Sequence, residues 1–300
     1  SVLVVRNTVA GAVAVARAVE AHAPELAFRV NGAATLHHGR FAPDDRRLLD
    51  QAVEEAFGKG RAAQGRVLVG TQTLEQSLDL DADILITDLA PMDVLLQRIG
   101  RLHRHARDDR GAFAVARVVV LRPEGRDLTP LIEPGPERHG LGPRKDGGGV
   151  YPNLLHLEGT LRLLEAHPAI AIPADNRRLV ERALHPEAVA ALAAELGTAW
   201  RNHEARCAAV AFGDRGTADH VAMDLATPFR DLVFPDAAEA VATRLGARDL
   251  LVLGIRAEEM CWFPMLYLGS RAAFGLPEGD AHRLADRERA DVAVDEIGEH

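Results

Sequence analysis

The stretch Ile84–His105, ILITDLAPMDVLLQRIGRLHRH, decides how this chain folds. It begins with a short apolar run that ends at Asp88, a pattern typical of a buried strand. Pro91 follows, and proline is favoured at the start of a helix because no backbone hydrogen bond is lost there. The apolar residues after it recur at helical spacing and predict a helix with one buried face. That face comprises Met92, Leu95, Ile99 and Leu102.

The opposite face of this predicted helix carries Gln97, Arg101 and Arg104, with Arg98 to one side. Guanidinium groups pair bidentately with phosphate or carboxylate, and they keep their charge at any working pH. For a helix standing alone, a solvated basic surface is the alternative interpretation. A second group of residues earlier in the chain favours an anion-binding site instead.

That second group follows the predicted strand Arg66–Val69. Gly70 ends the strand, and a glycine there lets the backbone approach a ligand closely. Thr71 and Gln72 then begin a turn whose N–H groups are suited to binding phosphate. We therefore expect the turn and the arginine helix to form two halves of one site.

These segments together resemble a known family. VLVGTQTLEQSLDLDADILITDLAPMDVLLQRIGRLHRH resembles motifs V and VI of a superfamily 2 helicase, which lie in the second of its two RecA-like lobes. QRIGRLHRH, preceded by TQxxExSLDxDxD, resembles one branch closely: the CRISPR-associated helicase-nuclease that degrades target DNA in type I interference systems. Upstream, LVVRNTVAGA resembles motif IV, and LHHGRFAPDDR resembles a further segment of that family.

The order of elements predicts an α/β fold with a mainly parallel, doubly wound sheet, because strands alternate with helices. We expect the second strand, or its edges, at Phe28–Asn31 and Thr35–Leu36, and the last strand at Phe113–Leu121. Ligands of such sheets bind at the carboxyl ends of the strands. Asn7, His38, Thr71 and Asp88 lie at these ends.

The chain divides into four predicted parts. Residues 1–122 form the lobe that resembles the RecA-like one, and residues 123–149 form a Pro/Gly-rich mobile loop or linker. Residues 150–197 form a helical linker, with helices at 153–167 and 175–196. Residues 198–300 form a small mixed α/β accessory domain, indicated by short runs at Val210–Phe212 and Asp249–Ile255.

Composition limits the possible functions. The net charge of −9 excludes a protein that coats nucleic acid through bulk positive charge, so any DNA contact must be local. The two cysteines, Cys207 and Cys261, lie far apart and suit a reduced cytoplasmic state, with Cys261 expected in a core. No apolar run is long enough for a membrane span. The chain begins with Ser1 directly before a strand, from which we expect it to be cut from a longer polypeptide.

Some motifs do not occur in the sequence. It contains no GxxxxGK[ST] phosphate-binding loop and no His-Asp doublet of the kind found in the family's nuclease domain. The resemblance implies that these parts belong to an amino-terminal portion, with a helicase lobe and a nuclease domain. The histidines at positions 37, 38, 103 and 105 have no Cys or carboxylate set at ligand spacing, so no metal site is predicted. A Walker-like VAVDEIGEH at residues 292–300 lies at the wrong end of the chain for this family.

The resemblance implies a role for each site residue. ATP with Mg²⁺ would bind between this lobe and the amino-terminal one, which would hold most of both. Arg101 and Arg104 would act as arginine fingers with Gln97 assisting, and Asp79 and Arg98 would lie near the nucleotide. The expected contacts with the backbone of single-stranded DNA are Thr71, Gln72, Arg40 and Asn7.

The implied protein is therefore the carboxyl-terminal part of an ATP-dependent single-strand DNA translocase, inactive alone. The implied partner is the RNA-guided surveillance complex in the cytoplasm. Two alternatives remain open: a lobe of another superfamily 2 helicase that acts on RNA or DNA, and a non-catalytic DNA-binding or regulatory module. A P-loop, a DExH box and His-Asp motifs in the upstream reading frame would decide between them.

Overall fold

The computed structural model describes residues 1–75, 78–135, 139–145 and 149–221, with side chains as far as residue 216. In chain order, the strands are β1 Val2–Val5, β2 Arg29–Val30, β3 Ala33–Ala34, β4 Val67–Gly70, β5 Ile84–Asp88 and β6 Arg117–Leu121. The helices are α1 Val9–His22, α2 Pro43–Phe57, α3 Met92–Ile99, α4 Leu154–Ala166, α5 Asn176–Leu184, α6 Pro186–Leu196 and α7 Thr198–Val221.

A four-stranded parallel sheet with the order β4-β1-β5-β6 forms the centre of the lobe. Val2 of β1 is paired with Val67 of β4 on one side and with Ile84 of β5 on the other. The predicted mainly parallel α/β fold is confirmed. Because the chain crosses from β4 over β1 to β5, the carboxyl ends of these three strands surround the point where strand order reverses, which is the usual ligand-binding position of such sheets.

The two faces of the sheet are covered by different helices. Successive side chains of a strand point to opposite faces, so Leu3 packs with α2 residues such as Val53, whereas Val4 packs with Ala12 of α1. The first helix begins at the predicted cap, where the Thr8 side chain accepts a hydrogen bond from the Gly11 N–H at 3.0 Å. This packing on both faces is what makes the sheet doubly wound.

The two pieces predicted for the second strand, Phe28–Asn31 and Thr35–Leu36, do not form one strand beside β4. Ala27 and His37 form single parallel bridges with β4, at Val67 and Gly70. Between them the chain leaves the sheet edge as the antiparallel hairpin β2–β3. Asn31 and Gly32 form its two-residue loop with φ of 51° and 83°, and Asn-Gly is the preferred pair for such a turn. The turn therefore splits one edge strand into two short pieces.

The arginine helix is shorter than predicted. α3 ends at Ile99, and the N–H groups of Arg101 and Leu102 bond to the carbonyls of Arg98 and Ile99 in tight turns. His103 then adopts a left-handed φ of 47°. Arg101 and Arg104 consequently lie in the turn after the helix, and the predicted single helical face with Gln97 is wrong.

The segment after the lobe is packed rather than free in its described parts. Leu128, Ile132 and Leu141 are buried in one cluster with Leu154 of α4 and Trp200 of α7. The predicted mobility of residues 123–149 is therefore not supported there. The predicted helix 175–196 is divided at Pro186, whose ring cannot continue α5.

The described part of α7 includes Val210–Phe212, so this run is helical. The run Asp249–Ile255, Cys261 and the VAVDEIGEH segment lie outside the described residues. None of the described helices combines the length and apolar content needed to cross a membrane.

Candidate functional site

The candidate site lies where β1, β4 and β5 end. Nε of Arg6, directly after β1, donates to both carboxylate oxygens of Asp88, each at 2.9 Å. The same carboxylate accepts the backbone N–H of Asn7 at 2.8 Å. This charge-assisted pairing fixes the ends of the two strands relative to each other.

Arg98 of α3 fills the space between these strand ends, and its side chain is fully buried. Its guanidinium pairs with the Glu75 carboxylate at 2.7 Å, and the Glu75 side chain is 1% exposed. Nη1 donates to Thr87 Oγ1 at 2.7 Å and to the Asp88 carbonyl at 3.1 Å, and Nη2 also donates to Asn7 Oδ1 at 3.0 Å and Tyr151 Oη at 2.9 Å. A direct contact between Arg98 and a nucleotide would require this packing to open.

Arg101 and Arg104 lie closer to the surface. Nη2 of Arg101 donates to the Glu75 carbonyl at 2.6 Å, whereas its Nε is buried without a hydrogen-bond partner in the described part of the chain. Burial, and after it the charge of Arg104, lowers the pKa of the Arg101 guanidinium. An additional anionic partner would satisfy the unpaired N–H and stabilise both charges.

Asp79 holds Arg104 in place. Its carboxylate pairs with Arg104 Nε at 2.7 Å and with His105 Nε2 at 3.0 Å. Partial burial opposes ionisation of Asp79, but His105 and Arg104 outweigh that effect and lower its pKa. The aspartate predicted to lie near the nucleotide thus lies beside the two candidate arginines.

The predicted DNA-contacting residues are divided between surface and interior. Asn7 is 2% exposed, and its amide donates to the carbonyls of Leu89 at 2.9 Å and His139 at 3.0 Å. Gln72 donates to the Asn7 carbonyl at 2.8 Å, and Thr71 beside it is buried. Arg40 and Gln97 are exposed, on the turn before α2 and on α3. The structure thus brings Asn7, Thr71 and Gln72 together, and it leaves only part of this set accessible.

A buried histidine connects the turn after β4 to α2. His37 Nε2 lies 2.6 Å from Asp50 Oδ1, and His37 Nδ1 lies 2.6 Å from Thr73 Oγ1. Burial first, and then the charge of Arg46, lowers the pKa of His37 to about 4, although Asp50 raises it. The neutral ring therefore donates to Asp50 and accepts from the Thr73 hydroxyl.

The histidine pair predicts an acid-sensitive fold. Burial, followed by the charge of Arg40, also lowers the pKa of His38 to about 4. In the unfolded chain both rings bind protons near pH 6.5, so the native state binds fewer protons between pH 6.5 and 4. We expect stability to be complete above that window and to fall within it, by up to about 1.4 kcal/mol per pH unit for each ring.

Urea unfolding at several pH values measures this loss. His37→Gln should remove part of the slope, whereas His22→Gln, which alters an exposed ring at the end of α1, should leave it unchanged. Equal stability at pH 7 and pH 5 would contradict the prediction.

Sequence reasoning missed several residues that shape the site. Glu75 and Tyr151 hold Arg98, and Asp50 holds His37. At the amino ends of the strands, Arg110 pairs with Asp81 at 2.7 Å and with Asp83 at 2.6 Å. The TQxxExSLDxDxD pattern contained Glu75 and both aspartates, but its spacing alone did not show which arginines they would meet.

The residues present suit a phosphate better than a metal ion. The described ranges contain no group of three or more His, Cys, Asp or Glu side chains suited to a metal. Two neighbouring guanidiniums, one with an unpaired buried N–H, match the chemistry of a phosphate group. The described residues therefore fit the phosphate part of a nucleotide, and they provide no carboxylate set for Mg²⁺.

Comparison with known proteins gives the same family as the motifs. A family model described as CRISPR-associated nuclease/helicase Cas3, C-terminal, matches residues 1–107. The CRISPR-associated endonuclease/helicase Cas3 of Escherichia coli is 50% identical over 92 residues, which are 30% of this chain and 10% of that protein. The corresponding Thermus thermophilus protein is 40% identical over 147 residues, 49% of this chain and 14% of that protein.

Solved structures show the same fold. A crystal structure of T. fusca Cas3-ADP matches with a TM-score of 0.51 and 24% identity, covering 74% of this chain and 23% of that one. A crystal structure titled Crystal structure of CRISPR-associated protein matches with a TM-score of 0.51 and 25% identity, covering 72% of this chain and 23% of that one. The matches thus cover between a tenth and a quarter of these relatives' length.

The fold and the arginine turn define the class: a parallel α/β lobe that carries two neighbouring arginines, Arg101 and Arg104, in the turn after α3. Residues 1–107 of this chain are similar to the C-terminal family of CRISPR-associated nuclease/helicase Cas3.

Proposed function

We propose that this chain supplies the second motor lobe of an ATP-dependent translocase on single-stranded DNA, acting in type I CRISPR interference. The observation that carries the proposal is the half-buried Arg101, whose Nε has no described partner, beside Arg104 and in contact with the Glu75 carbonyl in the turn after β4. The 50% identity with the E. coli relative over 92 residues supports the same assignment.

Arg101 and Arg104 would bind the phosphates of ATP and stabilise the charge that develops on the transferred group. Gln97, exposed on α3, would assist. Asp79 would keep Arg104 oriented until phosphate replaces the carboxylate as its partner. Because Arg98 is fully buried, we assign it a positioning role in place of the nucleotide contact expected from sequence.

Single-stranded DNA would run across the turn after β4. Gln72 and Arg40 present polar groups there. Thr71, directly after β4, would contribute to the same DNA-binding surface. Asn7 is buried and bonded to Gln72, so it would shape this surface more than touch DNA directly. Opening and closing of the nucleotide cleft would then move the turn along the strand.

The remaining parts of the proposal rest on the relatives, of which this chain covers a small share. The other wall of the nucleotide site, the Mg²⁺ ligands and the nuclease would come from an amino-terminal lobe and nuclease domain of the same protein. The proposed partner is an RNA-guided surveillance complex, and the proposed location is the cytoplasm. Residues 198–300 would form an accessory domain with α7 at its start.

The split nucleotide site predicts that this chain alone does not hydrolyse ATP at a useful rate, since its sequence contains no phosphate-binding loop. Phosphate release should be measured with and without single-stranded DNA, with the complete enzyme as the positive control. DNA-stimulated turnover by the chain alone of about 1 s⁻¹ or more, a common enzyme value, would overturn the split-site assignment.

The DNA surface predicts weak and salt-sensitive binding. If the chain neutralises about two or three phosphates, log K should fall with log salt at a slope of roughly −1.5 to −2. Fluorescence anisotropy of a labelled oligonucleotide at several salt concentrations measures this slope, with Arg40→Gln expected to reduce it and Arg177→Gln, on α5, as the control. A slope near zero would mean that the DNA contacts are misassigned.

A further inference from the structure

A segment that follows the lobe reaches the candidate site. We call residues 139–145 and 149–151 the clasp. The carbonyl of His139 accepts a hydrogen bond from the Asn7 amide at 3.0 Å. Tyr151 Oη accepts one from Arg98 Nη2 at 2.9 Å, and the Arg98 guanidinium carbon lies 6.0 Å from the Tyr151 ring centre. The clasp therefore contacts α3 and the residues directly after β1.

The clasp is held in a defined shape. The Tyr151 N–H donates to the Gly140 carbonyl at 2.9 Å, and the Gly142 N–H donates to the Tyr151 carbonyl at 3.0 Å. Leu141 is buried in the cluster around α4. Gly140 adopts a φ of 80°, and a Cβ there would lie 2.9 Å from the Asn7 Cβ. The tyrosine is thus presented from a fixed backbone.

Arg98 connects Tyr151 to Arg101 through one further residue. The Glu75 carboxylate pairs with Arg98 at 2.7 Å, while the Glu75 carbonyl accepts the Arg101 hydrogen bond at 2.6 Å. A planar guanidinium fixes its partners in one orientation. Rotation of the Arg98 plane would therefore shift Glu75 and, through its carbonyl, Arg101.

We propose that Tyr151 is a positioning residue for ATP hydrolysis, acting through Arg98 and Glu75 on Arg101. This inference rests on the proposed function. The clasp lies outside the residues matched by the family model, which end at residue 107, so the arginine geometry depends on a segment beyond that domain. The hydroxyl of Tyr151 is the smallest group whose removal tests this dependence.

The test is Tyr151→Phe in the complete enzyme, which removes only the hydroxyl. The matched control is Thr129→Val, which removes the hydroxyl that accepts a bond from Trp200 at 3.2 Å in the neighbouring cluster. We expect kcat for ATP to fall about tenfold in Tyr151→Phe, because even small displacements of a catalytic group are costly. KM should stay within about twofold, as for an interaction made in the transition state.

The melting temperature separates positioning from folding. It should change in Tyr151→Phe no more than in Thr129→Val, while kcat falls only in the former. Glu75→Gln is a second test, because it removes the carboxylate charge that pairs with Arg98. If both residues act through Arg98, the double variant should be no slower than the slower single variant. Multiplicative losses, an effect on KM alone, or a Tyr151→Phe enzyme as fast as the control would overturn the proposal.

Arg101→Ala, assayed in parallel, distinguishes a failure of the proposed function from a failure of the positioning role of Tyr151. If it retains turnover, the proposed function of the arginine turn fails. If it is inactive while Tyr151→Phe matches the control, only the positioning role of Tyr151 fails.

Discussion

Arg101→Ala and Arg104→Ala are each expected to reduce ATP-driven unwinding by the complete enzyme by about 10³–10⁵-fold, the effect of an arginine finger. The fold should remain intact. Arg104 is 43% exposed and pairs with an exposed carboxylate, and changes at such positions usually shift stability by under about 0.5 kcal/mol. Arg101 is half-buried, and its one described hydrogen bond is to a backbone carbonyl, so its removal breaks no ion pair among the described residues.

Two further variants make this result specific. Lysine at either position should restore little activity, because a point charge does not reproduce the planar fork. Leu95→Ala, in the fully buried part of α3, should instead lower stability by about 2–5 kcal/mol. ATPase rate and melting temperature are the two measurements. Arginine variants that keep more than about a tenth of the turnover, a loss of only about 1.4 kcal/mol in barrier height, would assign this turn to the scaffold.

Arg98→Met should cause a large loss of stability, in contrast to Arg101→Ala and Arg104→Ala, which should lose activity with the fold intact. Arg98 and Glu75 are both enclosed by protein. Removing one member of a buried ion pair leaves the other charge without compensation, which costs about 3–5 kcal/mol. Urea unfolding of this chain measures the loss, and Arg104→Met, at the exposed pair with Asp79, is the control. A loss under about 1 kcal/mol, the range of exposed ion pairs, would show that Glu75 finds another partner or becomes protonated.

Much of the lobe could be predicted from the sequence because its signals are local. Short β-branched and apolar runs predicted β1, β4 and β5, and Thr8 predicted the start of α1. The parallel arrangement followed from the alternation of strands and helices. The Asn31-Gly32 turn is an equally local signal, because Asn-Gly favours a two-residue hairpin loop.

The distribution of roles among the arginines could not be predicted in the same way. Arg98, Arg101 and Arg104 have the same chemistry and lie within one short segment. Their burial depends on partners far along the chain, since Glu75 is 23 residues and Tyr151 is 53 residues from Arg98. Because α3 ends at Ile99, Arg101 and Arg104 lie outside the helix. The spacing of apolar residues alone does not predict this end.

The β2–β3 hairpin also offers a site for attaching a probe. Its two turn residues are exposed and the space around Gly32 is open, but the φ of 83° strains any side chain there, so a probe is better carried by residues inserted into the turn. The hairpin branches from the sheet edge between Ala27 and His37, so added residues at the turn would lengthen the branch without interrupting the pairing with β4. A fluorophore or short peptide tag placed there would follow the movement of the lobe from a surface that the candidate site does not use.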